Sequence, residues 1–93
     1  MIEFEWDNKK DKSNQKKHNV SFEEAKSAFL DPNAMSFYDP DHSKDGDRFI
    51  LLGISHDLRA LVVCHCFKDD EKIIRIISAR KADKKEQKVY WSK

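Results

Sequence analysis

An arginine that stays charged at any working pH, a carboxylate, a phenol and an imidazole together make a phosphate binder and a set of proton carriers. The stretch "IIRIISARKADKKEQKVY", residues 73–90, holds three of these groups. Arg80 follows an apolar run, where its planar fork can reach phosphate oxygens. Glu86 and Tyr90 stand four residues apart, so a helix would set both on one side, within reach of each other. Near the N-terminus, Lys10, Asn14, Lys17 and His18 are spaced to share a helix face, a basic ridge ending in a titratable ring. To act together, Arg80, Glu86 and Tyr90 must converge with that ridge on one anion-receiving pocket. The structural alternative is ordinary: Glu86 closes a capping box, Tyr90 packs, and Arg80 pairs with a surface acid.

Elements that could position these groups are legible along the chain. Residues 2–6, "IEFEW", alternate apolar and acidic, as a half-buried strand does. Residues 7–19 hold no apolar side chain, and Asp7 can cap a helix beginning after it. Without an oily stripe, such a helix is either exposed and anchored by its ends or poorly ordered. In "VSFEEAKSAF" (20–29), Ser21 and Glu24 form a capping box, with Phe22, Ala25, Ala28 and Phe29 at helical intervals until Pro32. A short strand, "AMSFY", precedes the acidic loop "DPDHSKDGD" (39–47), which lacks the central Gly and closing Glu of a calcium loop. Three strands in meander order follow, at 48–55, 59–67 and 73–79, and Asp83 caps a last helix. In the last strand, regular alternation puts Ile73, Arg75, Ile77 and Ala79 on one face and Ile74, Ile76, Ser78 and Arg80 on the other. The order β-α-α-β-β-β-β-α predicts an α+β fold: one antiparallel sheet with two N-terminal helices and one C-terminal helix.

"CHC" (64–66) is a poor metal site, because in a strand His65 points away from both cysteines. His65 shares its face with Leu61, Val63 and Phe67, which suits a buried, satisfied ring. Two cysteines and an acidic N-terminus imply reduced thiols and a cytoplasmic protein. The longest apolar run, residues 60–64, is far below the ~20 residues that span a bilayer. With 93 residues the chain makes a single domain. Its net charge is only +1, but residues 20–47 carry −5 and residues 80–93 carry +4, a separation that permits a polyanion site.

The segments "FEWDNKK", "KHNVSFEEA", "RFILLGIS", "LVVCH" and "IRIISARKADKKEQKVY", in that order from Phe4 to Tyr90, resemble the BrnT family of type II toxin–antitoxin ribonucleases. Asn19 departs from the family's usual Gly after the K-H pair, and Cys66 from a frequent Thr. The resemblance implies a RelE-like fold and metal-independent RNA cleavage without a cofactor. It further implies a BrnA-type antitoxin whose ribbon-helix-helix part binds operator DNA, with a toxin dimer inside a heterotetramer. The catalytic positions it points to are Lys10, His18, Arg80, Glu86 and Tyr90. Asn14, Lys17, His65, Arg75, Lys81 and Lys84 are expected to contact RNA, and Asp7 is a lesser candidate. Chemistry then suggests roles: Arg80 on the scissile phosphate, Lys10 adding charge, Glu86 or His18 as base, and Tyr90 or the other as acid. Two further possibilities are a non-catalytic corepressor module and an acidic 31–47 region that docks a basic antitoxin tail.

Overall fold

A computed structural model describes residues 2–92 of the chain. Strand β1 (Glu3–Glu5) leads into helices α1 (Asn8–His18) and α2 (Phe22–Ala28). Then come β2 (Met35–Tyr38), a single 3-10 turn (Pro40–His42), β3 (Phe49–Ile54), β4 (Ala60–Lys68), β5 (Ile73–Lys81) and α3 (Lys84–Trp91). The sheet order is β1-β5-β4-β3-β2. Short turns force β2 to β5 into antiparallel pairs. β1 departs from the wholly antiparallel expectation: Glu3–Glu5 run parallel to Ile73–Arg75. No hairpin joins these two strands, so no tight turn dictates their relative direction.

Both faces of the sheet are covered, and neighbours on one strand serve different cores. On one side, Val20 and the α2 residues Phe22, Ala25 and Ala28 pack on Leu51, Leu61, Val63, Ile76 and Ala79. Burial of Phe22 alone contributes roughly 1.5–3 kcal/mol. On the other side, Tyr90 of α3 and Ala82, which precedes that helix, cover Leu52 and Val62. A Cβ at Gly53 would lie 2.9 Å from the Ala28 carbonyl oxygen, so the bare glycine lets the end of α2 reach β3.

Helix α1 is capped as expected: the Asp7 carboxylate accepts from the Lys9 and Lys10 amides at 2.8 and 3.2 Å. Asn19 ends it in the left-handed region (φ 57°). Its anchor to the sheet, however, is in the middle. Asn14 Nδ2 donates to the Val20 and Ala79 carbonyls at 2.8 Å each, and its Oδ1 accepts the Ala79 amide at 3.1 Å. β1 pairs with β5 only as far as Arg75, and Asn14 then takes the Ala79 backbone as a neighbouring strand would. A polar clamp replaces the missing apolar stripe.

At α2, Ser21 Oγ accepts the Glu24 amide at 3.0 Å, but the other half of the expected capping box is absent. The buried Glu24 carboxylate instead meets the Arg59 guanidinium, whose Nε lies 2.9 Å away, and Ser55 Oγ at 2.7 Å. Arg59 also donates to the Asn19 carbonyl, tying the α1–α2 corner to the β3–β4 turn.

Candidate active site

Arg80 reaches its position through a bulge. Cys64 lies opposite Ser78 and His65 opposite Ile76, so Ile77 has no partner across the ladder. Residues 75 and 80 would face opposite ways in a regular strand; one extra residue returns them to the same face. Arg80 thus stands opposite Val62, and Arg75 opposite Cys66. The grouping of Arg75 with Ile77 and Ala79 is corrected accordingly: Ala79 belongs to the core under α2, and Arg75 to Arg80's face. β5 also continues to Lys81, so Arg80 is inside the strand and more rigidly held than a residue beyond its end.

The Arg80 guanidinium meets Glu86 in a fork-to-fork pair, with Nη1–Oε1 and Nη2–Oε2 both 2.8 Å. Nη1 also donates to the Lys81 carbonyl at 3.3 Å, which leaves two of five N–H donors for another anion. Glu86 Oε1 accepts the Asp83 amide and Asp83 Oδ1 accepts the Glu86 amide, each at 2.8 Å, a complete capping box. The capping and arginine-pairing roles therefore coexist on one side chain. The Arg80 guanidinium holds the Glu86 carboxyl below its ordinary pKa, so Glu86 is a weak base and a strong anchor.

Beside this pair lies a cavity of about 260 Å³. Arg80, Ser78 and Ile77 of β5, Val62 and Cys64 of β4, and Ile50 of β3 line one part of it. His18, the last residue of α1, lines another. The 39–48 turn supplies Asp39, His42 and Arg48. That turn is laced together: the Asp39 amide donates to the Arg48 carbonyl at 2.9 Å, Ser43 Oγ to the Asp39 carbonyl at 2.6 Å, and the Arg48 amide to Ser43 Oγ at 2.9 Å. His42 Nδ1 sits 2.8 Å from the buried Asp39 Oδ2. The volume is below the ~300–1,000 Å³ of pockets that enclose a drug-sized ligand. It has room for a group the size of a phosphate. Two arginines for a phosphate and two imidazoles for protons share this space.

A family model described as "Ribonuclease toxin, BrnT, of type II toxin-antitoxin system" matches residues 6–86. The chain belongs to the BrnT family. The crystal structure of the Brucella abortus ribonuclease toxin BrnT superimposes with a TM-score of 0.70, covering 90% of this chain and 100% of that one. At 21% identity that likeness shows a shared fold. No curated protein matches significantly in sequence.

Within this BrnT-family chain, the structure brings His18, Arg80 and Glu86 together and leaves the other expected catalytic groups elsewhere. Lys10 is exposed in the first turn of α1 and does not line the cavity. The Tyr90 hydroxyl donates to Asp31 Oδ2 at 2.6 Å, from a side chain buried between α3 and the sheet. Hydrogen bonding to the Asp31 carboxylate, with burial, pushes the phenol up to about 12, so it keeps its proton. Among the expected RNA contacts, Asn14 is the buried clamp, and Lys17, Lys81 and Lys84 are exposed. Arg75 donates to Glu5 Oε2 at 2.8 Å, which Lys68 Nζ also meets at 3.3 Å. His65 is on the opposite face, enclosed by Phe29, Phe49 and Phe67, with Nδ1 at 3.1 Å from the Val63 carbonyl.

Asp39, His42 and Arg48 were not singled out by spacing. Their signal is "DPDHS", in which Pro40 starts a tight turn and returns a histidine to an aspartate three residues back. Among the described residues, no group of three or more His, Cys, Asp or Glu is arranged to hold a metal ion. Among them, too, no helix is long and apolar enough to cross a membrane.

Proposed function

We propose that this toxin cuts RNA without a metal, by attack of the 2′-OH on the adjacent phosphorus. The observation that supports this reading is the sharing of one cavity by Arg80, locked by Glu86, and His18. In such a reaction the 2′-oxygen bonds to phosphorus, the 5′-oxygen leaves, and the protein supplies charge and proton transfer. Arg80 binds the scissile phosphate through the donors that Glu86 does not use, with Arg48 as a second cation at the same cavity. His18 takes the 2′-OH proton. Glu86 positions Arg80, and Tyr90, engaged by Asp31, braces α3 against the sheet. The products are a 2′,3′-cyclic phosphate and a 5′-hydroxyl. Lys10, Lys17, Lys81 and Lys84 add a diffuse attraction for the RNA backbone.

In the cell this activity would stop translation and growth in the cytoplasm. A BrnA-type ribbon-helix-helix antitoxin would neutralise it within a heterotetramer containing a toxin dimer and bind operator DNA on the complex's behalf.

Arg80→Ala tests the core of the proposal. A folded variant should lose at least about a hundredfold in cleavage, the cost typical of removing one electrostatic contact to the transition state. Wild-type activity should be unchanged in EDTA, and end-group analysis should find the cyclic phosphate. Undiminished cutting by Arg80→Ala overturns Arg80's role, and loss of activity in EDTA overturns the metal-free scheme. Expression that neither arrests growth nor degrades RNA would favour the corepressor module instead.

A further inference from the structure

The proposed cleavage, on which this inference rests, needs a second proton carrier for the leaving 5′-oxygen. Glu86 is ion-paired with Arg80 and caps Asp83, which holds its carboxyl below the ordinary pKa, and the Tyr90 hydroxyl is committed to Asp31. We infer that His42, held by Asp39, is the general acid of this ribonuclease.

Three observations carry the assignment. Asp39 stands at the N-cap position of the 3-10 turn, where a carboxylate ordinarily accepts backbone N–H groups, yet it makes no such bond. Its Oδ2 is instead directed at His42 Nδ1, 2.8 Å away. Second, the carboxylate is the buried member of the pair and the imidazole the open one: their side chains are 11% and 73% exposed. A buried carboxylate behind an accessible ring fixes the tautomer and turns Nε2 outward for proton transfer. Third, hydrogen bonds hold the turn. Pro40 opens it, the Ser43 hydroxyl donates to the Asp39 carbonyl and accepts the Arg48 amide, and the Asp39 amide donates to the Arg48 carbonyl just before β3.

His42 and His18 come from different elements, so they can flank one phosphate in the cavity they both line. The charged and titratable groups that share this cavity with His42 are Asp39 and Arg48 from its own turn, His18 from α1, Cys64 from β4 and Arg80 from β5. As an imidazolium, His42 is an ion pair with Asp39 at the same 2.8 Å. During cleavage the 2′-OH proton passes to His18 and the P–O5′ bond breaks. The Nε2 proton of His42 goes to the departing oxygen, leaving Nδ1–H on Asp39. Asp39 is a positioning residue. His42 is catalytic.

A leaving group that needs no proton isolates this role. Two versions of a short RNA spanning the step that wild type cuts would be compared, one with the native 5′-oxygen and one with a bridging 5′-sulfur, whose thiolate departs unprotonated. His42→Gln should slow the oxygen substrate about a hundredfold or more, the scale of general acid catalysis. It should cut the sulfur substrate within a few-fold of wild type. Asp39→Asn should show a smaller loss with the same rescue, which a purely structural fault would not give. Binding of a 2′-deoxy analogue and the thermal midpoint serve as controls of folding. Equal cleavage of the oxygen substrate by wild type and His42→Gln overturns the inference and leaves the ribonuclease intact. Loss on both substrates with binding retained overturns the acid assignment. A wild type that cuts neither RNA sinks both this inference and the proposed activity.

Discussion

Glu86 shows how one side chain can serve two needs that look like alternatives when only spacing is available. Its backbone amide and one carboxylate oxygen complete the cap of α3, and both oxygens grip Arg80, so helix start and guanidinium are set by the same atom positions. The i, i+4 link to Tyr90 is real in register but not in chemistry, because Asp31 captures the phenol first. His65 illustrates the opposite outcome, a proton-active ring removed from proton traffic by enclosure. Burial lowers its pKa, so it is neutral in the folded protein at pH 7. The sign follows directly: as pH falls below about 6.5 the unfolded chain takes up a proton that the folded chain refuses, and stability is lost. Replacing the ring removes that term. On moving from pH 7.5 to 5.5, the wild type should lose up to about 1.4 kcal/mol more than His65→Phe, measured by urea unfolding at both values. An identical difference at both values would refute the neutral-histidine account.

At the level of helices and strands, two features depart from regular periodicity, and both serve the cavity. The unopposed Ile77 brings Arg75 and Arg80 to a common face, and Asn14 docks a helix that has nothing oily to bury. Asn14 satisfies three backbone groups, two of them on Ala79, one residue from Arg80. Asn14→Ala should therefore destabilise the protein by about 2–4 kcal/mol, since buried carbonyl and amide groups lose their partners. Hydrogen exchange should rise along α1 and at Ala79. A variant within about 0.5 kcal/mol of wild type would mean that α1 is held by something other than this clamp. Because His18 ends the same helix, the change should also weaken cleavage through geometry.

Across the molecule, basic segments flank both faces of the sheet. The basic helix α1 packs against β5, and the +4 segment from residue 80 leaves β5 for α3, which packs on β3 across the other face. The acidic stretch after β2 brings a single carboxylate to the cavity, that of Asp39, which is turned to His42. RNA binding should then be strongly salt-dependent. Affinity for a 2′-deoxy, uncleavable oligonucleotide should fall about ten- to hundredfold between 50 and 200 mM salt, as expected for about three to five neutralised phosphates. A change below about threefold would mean that these lysines do not track the backbone.

Local patterns in the chain were enough for the element order, the caps at Asp7 and Asp83 and the family's short motifs, because each depends on neighbours within a few residues. Arg80 stood out locally as a cation just before a capped helix, but its place inside the strand, which runs on to Lys81, did not. The partners of Glu24, Tyr90 and Asn14 were not legible, since Arg59, Asp31 and Ala79 lie 35, 59 and 65 residues away in the chain. Nor was the bulge, which exists only as a mismatch between two strands and leaves no mark on either one alone. Folding chose which polar groups would be spent on the scaffold and which would face the cavity, and that choice is made by long-range contact.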